Sequence, residues 1–318
     1  MKSVDVAVVG AGPAGIAAAL AAASSGARTA LIDEQPNVGG SLRWRIAPIV
    51  DLPGAYGDLS GLPGVKLAAA LADRLSTTQL EITTNGVAWG WFEGNILGVL
   101  AAGEAYELQA GAIVIASGST DRMAPFAGST LPGVMTARAV LAFLHLHRVF
   151  PGRRFAVIGS GAVAAEVAEA IATAGAEVVV RADGVDGVRV RGDGRVEQIE
   201  VADATHSVDC VVVALGRQPD SELALQSLAD NLLLAEAGGF VPLRSVDCET
   251  SISRLYVAGD AAGIVSDAEA FAEGQLAGLA AAGAGEQPLA AAREVLGALR
   301  SAERLATIER LRLNFVSR

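Results

Sequence analysis

Cysteine is almost absent from this sequence, whose 318 residues include only two, Cys210 and Cys248. A disulfide-stapled secreted fold, a CxxC redox pair and a cysteine-ligated zinc or iron–sulfur site all need more cysteines or a closer spacing. The sequence therefore excludes these three classes, and we expect no metal site. Cys210 is predicted to be a plain core residue in an apolar strand, and Cys248 to lie in a loop.

Basic and aromatic residues are also scarce. The chain has 24 Lys and Arg against 35 Asp and Glu, a formal net charge of −11, and 4% aromatic residues. Because an acidic surface repels polyanions, nucleic acid is a disfavoured partner. Small residues dominate the hydrophobic fraction of 52%, which favours helices packed closely on a sheet. A chain of this length corresponds to two domains or one large one.

Charge is missing from one long stretch near the start, the 22 residues of Val6–Ala27. A signal peptide or a membrane helix is the alternative to weigh for such a stretch. The run Gly10-Ala11-Gly12-Pro13-Ala14-Gly15 lies in its middle, and Asp5 precedes it where a signal peptide carries positive charge. Glycine and proline at this density break a spanning helix but suit a turn between a strand and a helix. We therefore expect no membrane span and a cytoplasmic protein.

An internal repeat is the strongest organisational signal. Each copy has an apolar strand, a turn of small residues, an alanine-rich helix, a glycine and a second apolar strand. The turn residues are Gly10, Gly12 and Gly15 in the first copy and Gly159, Gly161 and Ala164 in the second. Such β–α–β units build parallel sheets covered by helices. The sequence predicts an α/β fold of two Rossmann-like, three-layer dinucleotide-binding domains, with the second (120–244) inserted into the first (1–119 and 245–318).

Apolar periodicity predicts further elements between and after the two repeats. They are a helix over Lys66–Leu75, an antiparallel β excursion over Leu80–Leu108, strands at Ala112–Ala116, Cys210–Leu215 and Leu255–Ala258, a hairpin of Val188–Val190 with Val196–Val201, a helix over Thr136–Arg148 and a terminal helix over residues 287–313. His145 and His147 lie on the predicted helix 136–148. With His206 they are predicted to be surface or satisfied histidines, because no partnered constellation accompanies them.

The first turn has the residues that a dinucleotide pyrophosphate needs. Gly10 allows the tight turn, Gly12 lets the phosphates approach the backbone, and Gly15 lets the helix pack on the strand. The helix that begins near Pro13 and Ala14 directs free N–H groups and the positive end of its dipole at the phosphates. The turn is therefore a candidate pyrophosphate site, with a plain strand–helix corner as the competing interpretation.

An acid follows this turn at the expected distance. Asp33 lies 23 residues after Gly10, at the end of the second apolar strand. A carboxylate there accepts hydrogen bonds from the ribose hydroxyls of a dinucleotide. Glu34 is the alternative acid. Strand, turn, helix and acid in register make this first site more specific than its glycines alone.

The second turn departs from this pattern in two ways. The position 23 residues after Gly159 is Ala182 and not an acid. Arg181 beside it either holds a 2′-phosphate, which favours NADP over NAD, or is a solvated strand-end residue. In addition, about 55 residues separate Gly159 from the strand end at 214–216, whereas a complete module needs roughly 80 or more. The sequence therefore predicts a shortened second domain and leaves NAD(P) binding there open.

Several longer motifs carry a family resemblance. The Asp33–Gly40 run, Ala116–Ser119 and Tyr256–Asp260 resemble the two-dinucleotide flavoproteins, the pyridine nucleotide-disulfide oxidoreductase-like family that includes thioredoxin reductase. Within it, the chain is most similar to the FAD-containing alpha subunits of heteromeric amine and imino-acid dehydrogenases, a group that spans opine oxidase, hydroxyproline or proline dehydrogenase, hydrogen cyanide synthase and sarcosine oxidase. The motifs that carry this closer resemblance are Thr120–Gly128, Leu131–Thr136, Ala258–Ile264 and Ala272–Gly274.

The resemblance implies an FAD site whose residues can be carried over one by one. Gly10, Gly12 and Gly15 would hold the pyrophosphate, with Asp33 or Glu34 on the ribose. The remaining positions would be Gly39 and Gly40 close to the flavin, Gly118 beside the adenine-side backbone, and Gly259 with Asp260 at the ribityl or phosphate end. The helix after Asp260 would direct its N-terminus at the flavin pyrimidine, where reduced flavin develops negative charge.

Three departures limit the resemblance. Ser41 stands where the family often has glutamine after the Gly-Gly pair. The second module is shortened, and the cysteine-rich iron–sulfur region that many alpha subunits carry near their C-terminus has no counterpart before Arg318. The missing CxxC pair excludes thioredoxin reductase activity itself.

The function that the resemblance implies is an FAD-binding subunit of a heteromeric flavin-dependent dehydrogenase or oxidase. It would relay electrons from a partner flavoprotein subunit that oxidises an amine or imino acid such as proline, hydroxyproline, sarcosine or an opine. Two alternatives stay open. One is a stand-alone NAD(P)H-dependent flavin reductase, and the other is a redox-silent scaffold subunit whose nucleotide, FAD or another, is structural.

Overall fold

The computed structural model describes residues 2–301 together with residues 305, 306 and 308. The chain forms two compact units, the first made of Met1–Ser119 and Gln218–Arg318 and the second of Thr120–Arg217. The first crossing between them coincides with the boundary expected from the sequence.

The chain alternates between strands and helices through most of its length. In chain order the elements are β1 (Lys2–Val9), α1 (Pro13–Ser24), β2 (Thr29–Ile32), α2 (Gly64–Ser76), β3 (Glu81–Thr83), β4 (Gly86–Phe92), β5 (Ile96–Ala101), β6 (Glu104–Ile115), β7 (Ser119–Asp121), β8 (Val134–Thr136), α3 (Ala137–Leu141), β9 (Arg154–Ile158), α4 (Ala162–Thr173), β10 (Glu177–Ala182), β11 (Arg189–Arg191), β12 (Gln198–Val201), β13 (Ala204–Ser207), β14 (Cys210–Val213), β15 (Arg217–Pro219), α5 (Glu222–Gln226), β16 (Asn231–Leu234), β17 (Gly239–Pro242), β18 (Leu255–Val257), α6 (Asp267–Ala281) and α7 (Glu286–Leu299). Short 3-10 helices cover Gly40–Trp44, Gly54–Leu59, Ala235–Ala237 and Gly259–Ala262, and a π-helix covers Ala142–His147.

The first unit is built on a seven-stranded sheet. Strands β3, β2, β1, β6 and β18 lie side by side and all run parallel. The first half of the long β6 pairs antiparallel with β5, and β5 pairs with β4. All four residues of β2 are buried, as expected of a parallel strand that is covered on both faces.

Helix α1 lies in the interior of the first unit against α6. Eight of its twelve residues are buried, which fits a helix that is apolar on all sides. Gly274 and Gly278 of α6 face it, and a Cβ atom at these positions would lie 2.0 Å from the Ala14 carbonyl oxygen and 2.2 Å from that of Ala18. The two helices therefore meet backbone to backbone, an approach that the small residues in both sequences make feasible.

The opposite face of the sheet is covered differently. A second apolar cluster joins β1, β2 and β6 to β5 and α5, and its buried members include Ala7, Ala30, Ile32, Leu97, Val99, Ile113, Ile115 and Ala224. The first unit is thus a three-layer structure, in which the parallel strands lie between a helical layer and a layer formed by the antiparallel strands with α5.

The segment 218–244 packs with the first unit, whereas the sequence predicts it in the second domain. The Trp91 N–H donates to the Gln226 side-chain oxygen at 2.8 Å, and the Ile264 N–H donates to the Ala237 carbonyl at 3.0 Å. These contacts and the buried position of Ala224 tie the segment to the seven-stranded sheet and its loops. The return crossing therefore lies at Arg217/Gln218 instead of at 244/245.

The second unit has a four-stranded parallel sheet in the order β10-β9-β14-β8. Helix α4 connects β9 to β10. Between β10 and β14 the chain forms a three-stranded antiparallel sheet, β11-β12-β13, where a complete module would have a further helix and parallel strand. The α/β class and the shortened second domain are confirmed, and the predicted hairpin near residues 188–201 is one part of this three-stranded sheet.

The structure also describes the three further helices predicted from the sequence, although not the full length of the last one. The predicted helix 66–75 is α2, and the predicted helix 136–148 is α3 followed by a π-helix. The terminal helix predicted to reach residue 313 is α7, which ends at Leu299; residues 302–304, 307 and 309–318 lie outside the described part of the chain. Among the helices that the structure describes, none combines the length and hydropathy needed to cross a membrane.

The contact between α1 and α6 yields a stability prediction. Gly278→Ala should lower the free energy of unfolding by about 1–3 kcal/mol, because its methyl group would overlap the Ala18 carbonyl oxygen. Gly297→Ala in α7 is the matched control: the helical Gly297 has no atom within 4 Å of a Cβ, so alanine should stabilise the protein by roughly 0.5–1 kcal/mol. Urea unfolding measures both. Equal effects of the two substitutions would contradict the close packing.

Candidate functional site

The turn after β1 is a backbone crossing that two glycines make feasible. Gly10 has φ +98°, and its N–H donates to the Ile32 carbonyl at 2.8 Å. A Cβ atom on Gly10 would lie 2.3 Å from the Ala116 carbonyl oxygen, and one on Gly15 would lie 1.7 Å from the Gly10 carbonyl oxygen. These approaches bring the first turn of α1 against the ends of β1 and β6.

The N-terminus of α1 is open on the side that Gly12 faces. Gly12 is the N-cap residue and Pro13 follows it at the first helical position, with no side-chain cap among the described residues. The first amides of a helix have no partner within it, so they and the helix dipole attract anions. The nearest atom to a Cβ built on Gly12 is the Gly40 Cα, 4.0 Å away. The N-terminus of α1 therefore has space for a phosphate, which the backbone N–H groups of the first helical turn would face.

The 39–41 loop lies beside this opening. The Gly39 N–H donates to the Ala11 carbonyl at 2.7 Å, and a Cβ on Gly40 would lie 2.7 Å from the Gly12 Cα. Gly40 and Ser41 begin the 3-10 helix that ends at Trp44. The structure thus brings Gly39, Gly40 and Ser41 to the glycine turn, as a shared site would require.

The two candidate acids differ sharply in environment. The Asp33 carboxylate accepts hydrogen bonds from the backbone N–H groups of Ala11 and Gln35, the latter at 2.7 Å. Burial raises the pKa of Asp33, and these two N–H groups act against that rise. Glu34 is exposed and accepts a hydrogen bond from the Gln35 side chain at 3.3 Å. Asp33 is therefore part of the turn, whereas Glu34 lies at its outer edge.

The loop after β18 completes one side of the site. Gly259 has φ +70°, and a Cβ there would lie 2.7 Å from the Ala14 Cβ. The Asp260 carboxylate accepts hydrogen bonds from the Ser119 hydroxyl at 2.8 Å and from the Val265 N–H at 3.0 Å. Gly118, with φ +84°, precedes Ser119. Asp260 is therefore joined to Ser119, the neighbour of the predicted Gly118, and Gly259 contacts the first turn of α1.

A buried ion-pair cluster under this loop is a feature that the sequence reasoning missed. Arg244 binds Glu273 through two hydrogen bonds of 2.9 and 2.6 Å, and Arg300 binds Glu273 at 2.8 Å and Glu269 at 3.2 Å. Glu269 and Glu273 lie one turn apart on α6, a helix with buried residues on all sides. Two carboxylates on a helix without a polar face were the available signal, because buried charges need partners.

Both cysteines are buried free thiols. Burial raises the pKa of Cys210 to about 12. Burial also raises the pKa of Cys248 to about 11, although the adjacent Arg244 acts to lower it; the Arg244 guanidinium donates to the Cys248 sulfur at 3.3 Å. Protonated, buried thiols of this kind are poor nucleophiles, which leaves no thiol chemistry for the site.

The second turn repeats the backbone of the first but holds its acid one residue later than the spacing suggests. Gly159 donates its N–H to the Ala182 carbonyl at 2.7 Å, just as Gly10 does to Ile32. Strand β10 has a register shift between Val178 and Val180, so one extra residue precedes its end. Asp183, and not Ala182, is therefore the counterpart of Asp33.

Arg181 lies just after this register shift. In the parallel ladder Arg181 pairs with Val157, and Ala182, the last residue of β10, pairs with Ile158. Gly161 is the N-cap of α4 and Ala164 is buried on its first turn. Arg181 is exposed one residue before the end of β10, and both interpretations of it stay predictions, while the exposed acid Asp183 lies at the ribose-reading position of the second turn.

Comparison with known proteins identifies a family and several relatives of this chain. Residues 4–186 match the pyridine nucleotide-disulphide oxidoreductase family. The alpha subunit of sarcosine oxidase from Rhizobium meliloti (strain 1021) is 30% identical over 299 residues, which cover 88% of this chain and 28% of that protein. The A subunit of opine oxidase from Agrobacterium tumefaciens (strain Ach5) is 29% identical over 331 residues, which cover 87% of this chain and 65% of that protein.

Solved structures give the same result for the fold. The crystal structure of L-proline dehydrogenase from P. horikoshii has a TM-score of 0.81 at 27% identity, covering 92% of this chain and 58% of that chain. Thioredoxin reductase of T. acidophilum has a TM-score of 0.65 at 20% identity, covering 89% of this chain and 99% of that chain, a likeness of fold alone. This chain spans less than two thirds of the length of the two oxidase subunits and of the proline dehydrogenase chain.

The different environments of the two acids predict different effects of their removal. Asp33→Ala should lower the free energy of unfolding by about 1–3 kcal/mol, because it leaves the Ala11 N–H without its acceptor. Glu34→Ala, the matched control, should change it by no more than about 0.5 kcal/mol. Urea unfolding of the two variants measures the difference.

The Asp33 contribution should also depend on pH. Because burial raises the pKa of Asp33, its contribution is fully present below the unfolded-state pKa and is lost as pH rises through the folded-state pKa. The deficit of Asp33→Ala in denaturant unfolding should therefore be larger near about pH 3, below the ordinary pKa of an aspartate, than near about pH 7. A deficit that grows with pH would contradict the burial of this carboxyl.

Proposed function

The chain belongs to the pyridine nucleotide-disulphide oxidoreductase family, and on this basis we propose that it is an FAD-binding subunit of a heteromeric flavin-dependent dehydrogenase or oxidase. Its substrate class is an amine or imino acid such as proline, hydroxyproline, sarcosine or an opine. A partner flavoprotein subunit oxidises the substrate in the cytoplasm, and this chain relays the electrons.

The observation that carries the proposal is the open position at Gly12. Gly10, Gly15 and Gly40 lie against other backbone atoms, whereas Gly12 faces free space at the N-terminus of α1, which has no side-chain cap within the described part of the chain. If glycine were needed here for close packing alone, other protein atoms would lie against the position of a Cβ on Gly12. An approaching diphosphate explains why it is empty of side chains.

Each end of FAD has residues suited to hold it. The N–H groups at the start of α1 would bind the pyrophosphate, and Asp33 or Glu34 the adenosine ribose. From the other side, Gly259 contacts the same helix turn at Ala14, and its neighbour Asp260 accepts a hydrogen bond from Ser119, which follows Gly118. The Gly39–Ser41 loop contacts the turn through Gly40, which lies against Gly12. When bound there, FAD supplies reversible electron transfer, while the protein supplies orientation and electrostatics.

Two observations support a relay role over direct substrate oxidation. The three histidines, His145, His147 and His206, all belong to the second unit. The carboxylates at the candidate site, Asp33 and Asp260, already accept hydrogen bonds from protein groups. Acid–base chemistry on an amine needs a positioned, available base, which fits a substrate site on a partner.

The names of the relatives support a partner for this chain. The sarcosine oxidase and opine oxidase relatives are both described as subunits, and the L-proline dehydrogenase structure extends the similarity to an imino-acid substrate. Amines and imino acids are oxidised by hydride removal from the carbon next to nitrogen, a reaction that ends on an electron carrier.

A Gly12→Val substitution tests the FAD site. The φ of −80° and ψ of −172° at Gly12 suit valine, and no atom lies closer than 4.0 Å to the new Cβ. The variant should keep its free energy of unfolding within about 1 kcal/mol but bind FAD at least about tenfold more weakly. Quenching of flavin fluorescence on titration into the protein measures the affinity.

The matched control is Gly54→Val, at an exposed glycine that also has no atom within 4 Å of a Cβ. It should bind FAD as the unsubstituted chain does. Equal FAD binding by the Gly12→Val variant would contradict the proposed site, and a chain that takes up no FAD with or without candidate partners would overturn the proposal.

A second candidate function is favoured by Asp183. An acid at the ribose-reading position of the second turn suits NAD(H), because a carboxylate repels the 2′-phosphate of NADP(H). This supports a stand-alone NADH-dependent flavin reductase. The shortened parallel sheet opposes it, since the helix and strand that normally follow β10 are replaced by β11–β13.

Anaerobic mixing of the FAD-loaded chain with NADH separates the two functions. The relay function predicts no bleaching of the flavin absorbance within minutes, and bleaching by an amine substrate once the partner is present. The reductase function predicts rapid bleaching by NADH alone, faster than by NADPH, and its loss in Asp183→Asn. A redox-silent scaffold would bleach under neither condition.

A further inference from the structure

The ion-pair cluster of Arg244, Glu269, Glu273 and Arg300 is an unusual feature of the first unit. The side chains of Arg244 and Glu273 are 6% and 0% exposed, and those of Arg300 and Glu269 are 12% and 7% exposed. Burial acts to lower the pKa of Arg244, but the facing Glu273 carboxylate raises it above its ordinary value. Among the residues that the structure describes, the cluster contains two guanidinium and two carboxylate groups, whose formal charges cancel.

Stability alone does not account for such a cluster. Removing charges from water is costly, and a buried ion pair can often be replaced by apolar side chains of similar volume without loss of stability. Removing a single partner is strongly destabilising, because one charge is then left uncompensated. A buried pair that is kept in place of apolar packing is therefore a candidate for a positional role.

The cluster contacts the loop after β18 at the backbone amide of Gly259. Glu273 accepts a hydrogen bond from the Gly259 N–H at 3.0 Å, and the same oxygen accepts from Arg244. Arg244 also donates to the Val257 carbonyl at 3.0 Å. The last residue of β18 and the second residue after it are thus both held by the same ion pair.

The turn of α6 that contains Glu273 also contacts the first turn of α1. A Cβ on Gly274, the neighbour of Glu273, would lie 2.0 Å from the Ala14 carbonyl oxygen, and a Cβ on Gly259 would lie 2.7 Å from the Ala14 Cβ. One turn of α6 therefore fixes both the start of α1 and the loop that carries Asp260. A shift of Glu273 would change how these two parts face each other.

We propose that Glu273, paired with Arg244 and Arg300, is a positioning residue that presets the Gly259–Asp260 loop for the flavin half of the dinucleotide. The inference rests on the proposed FAD-binding function. Glu273 acts through the Gly259 amide and does not contact the ligand. The Gly10–Gly15 turn would hold the pyrophosphate and Asp33 or Glu34 the adenosine ribose, so the effect of the pair falls mainly on the part of FAD beyond the pyrophosphate.

The test is the double substitution Arg244→Met with Glu273→Leu. It removes one positive and one negative charge together and leaves the Arg300–Glu269 pair balanced, so the protein should fold with a similar thermal midpoint. Its affinity for FAD should fall at least about tenfold, whereas its affinity for ADP should change by less than about threefold. The absorption spectrum of bound FAD should also shift. A role in stability alone would move neither the FAD-to-ADP ratio nor the spectrum.

The control removes an ion pair of the same unit far from the loop in sequence. Arg74→Gln with Asp58→Asn deletes the pair between α2 and the 54–59 helix and should leave both affinities unchanged. A folded Arg244→Met/Glu273→Leu protein that binds FAD as tightly as the unsubstituted chain would overturn the inference. An unsubstituted chain that binds no FAD would instead overturn the proposed function.

Hydrogen exchange on the unsubstituted chain gives a second test that does not depend on a variant folding. If Glu273 presets the loop, a peptide covering residues 258–262 exchanges slowly without ligand, and FAD adds little protection. Rapid exchange that becomes slow when FAD binds would show that the ligand and not the ion pair orders the loop.

Discussion

Backbone-to-backbone contact around the first turns of α1 is the constraint on which the rest of the first unit depends. Gly15 meets the Gly10 carbonyl, Gly274 of α6 meets the Ala14 carbonyl, and Gly40 meets the Gly12 backbone. A single methyl group at any of these contacts would force segments apart, because carbonyl oxygens cannot yield as side chains do. The result is a helix N-terminus around which three loops converge, with Gly12 left facing open space. That packing requires small side chains around the helix, and it leaves the space that a dinucleotide needs at Gly12.

Charge is buried next to this close-packed turn, and the two features act together. The glycines determine how near the segments approach, whereas hydrogen bonds from charged groups determine their orientation: Asp33 holds Ala11 and Gln35, and Glu273 holds Gly259. Apolar contacts are non-directional, so they cannot orient a loop as closely as a paired carboxylate can. An oriented site suits a subunit whose proposed task is to carry electrons, since such a protein contributes position and electrostatics more than reactive side chains.

The sequence predicts the α/β fold and the first turn because these depend on local spacing, and strand, glycines, helix and Asp33 lie within one β–α–β unit. At the second turn a fixed count of 23 residues from Gly159 reaches Ala182. A register shift in β10 adds one residue and makes Asp183 the counterpart of Asp33. The return crossing at Arg217 and the Arg244–Glu273–Arg300 pairing depend on tertiary contacts between distant segments, which no spacing rule gives. Glu269 and Glu273 lie on a helix made mostly of alanine and other small residues, a signal of buried charge that the sequence analysis did not use.

Binding stoichiometry tests the central claim most directly, because the chain is proposed to contain one complete dinucleotide site and one shortened module. Calorimetric titration of the ligand-free chain with FAD should show one molecule bound per chain, and saturating NADH should not displace it. Binding of no FAD, of two molecules per chain, or of FAD that NADH displaces competitively would contradict the assignment of the first glycine turn as the FAD site.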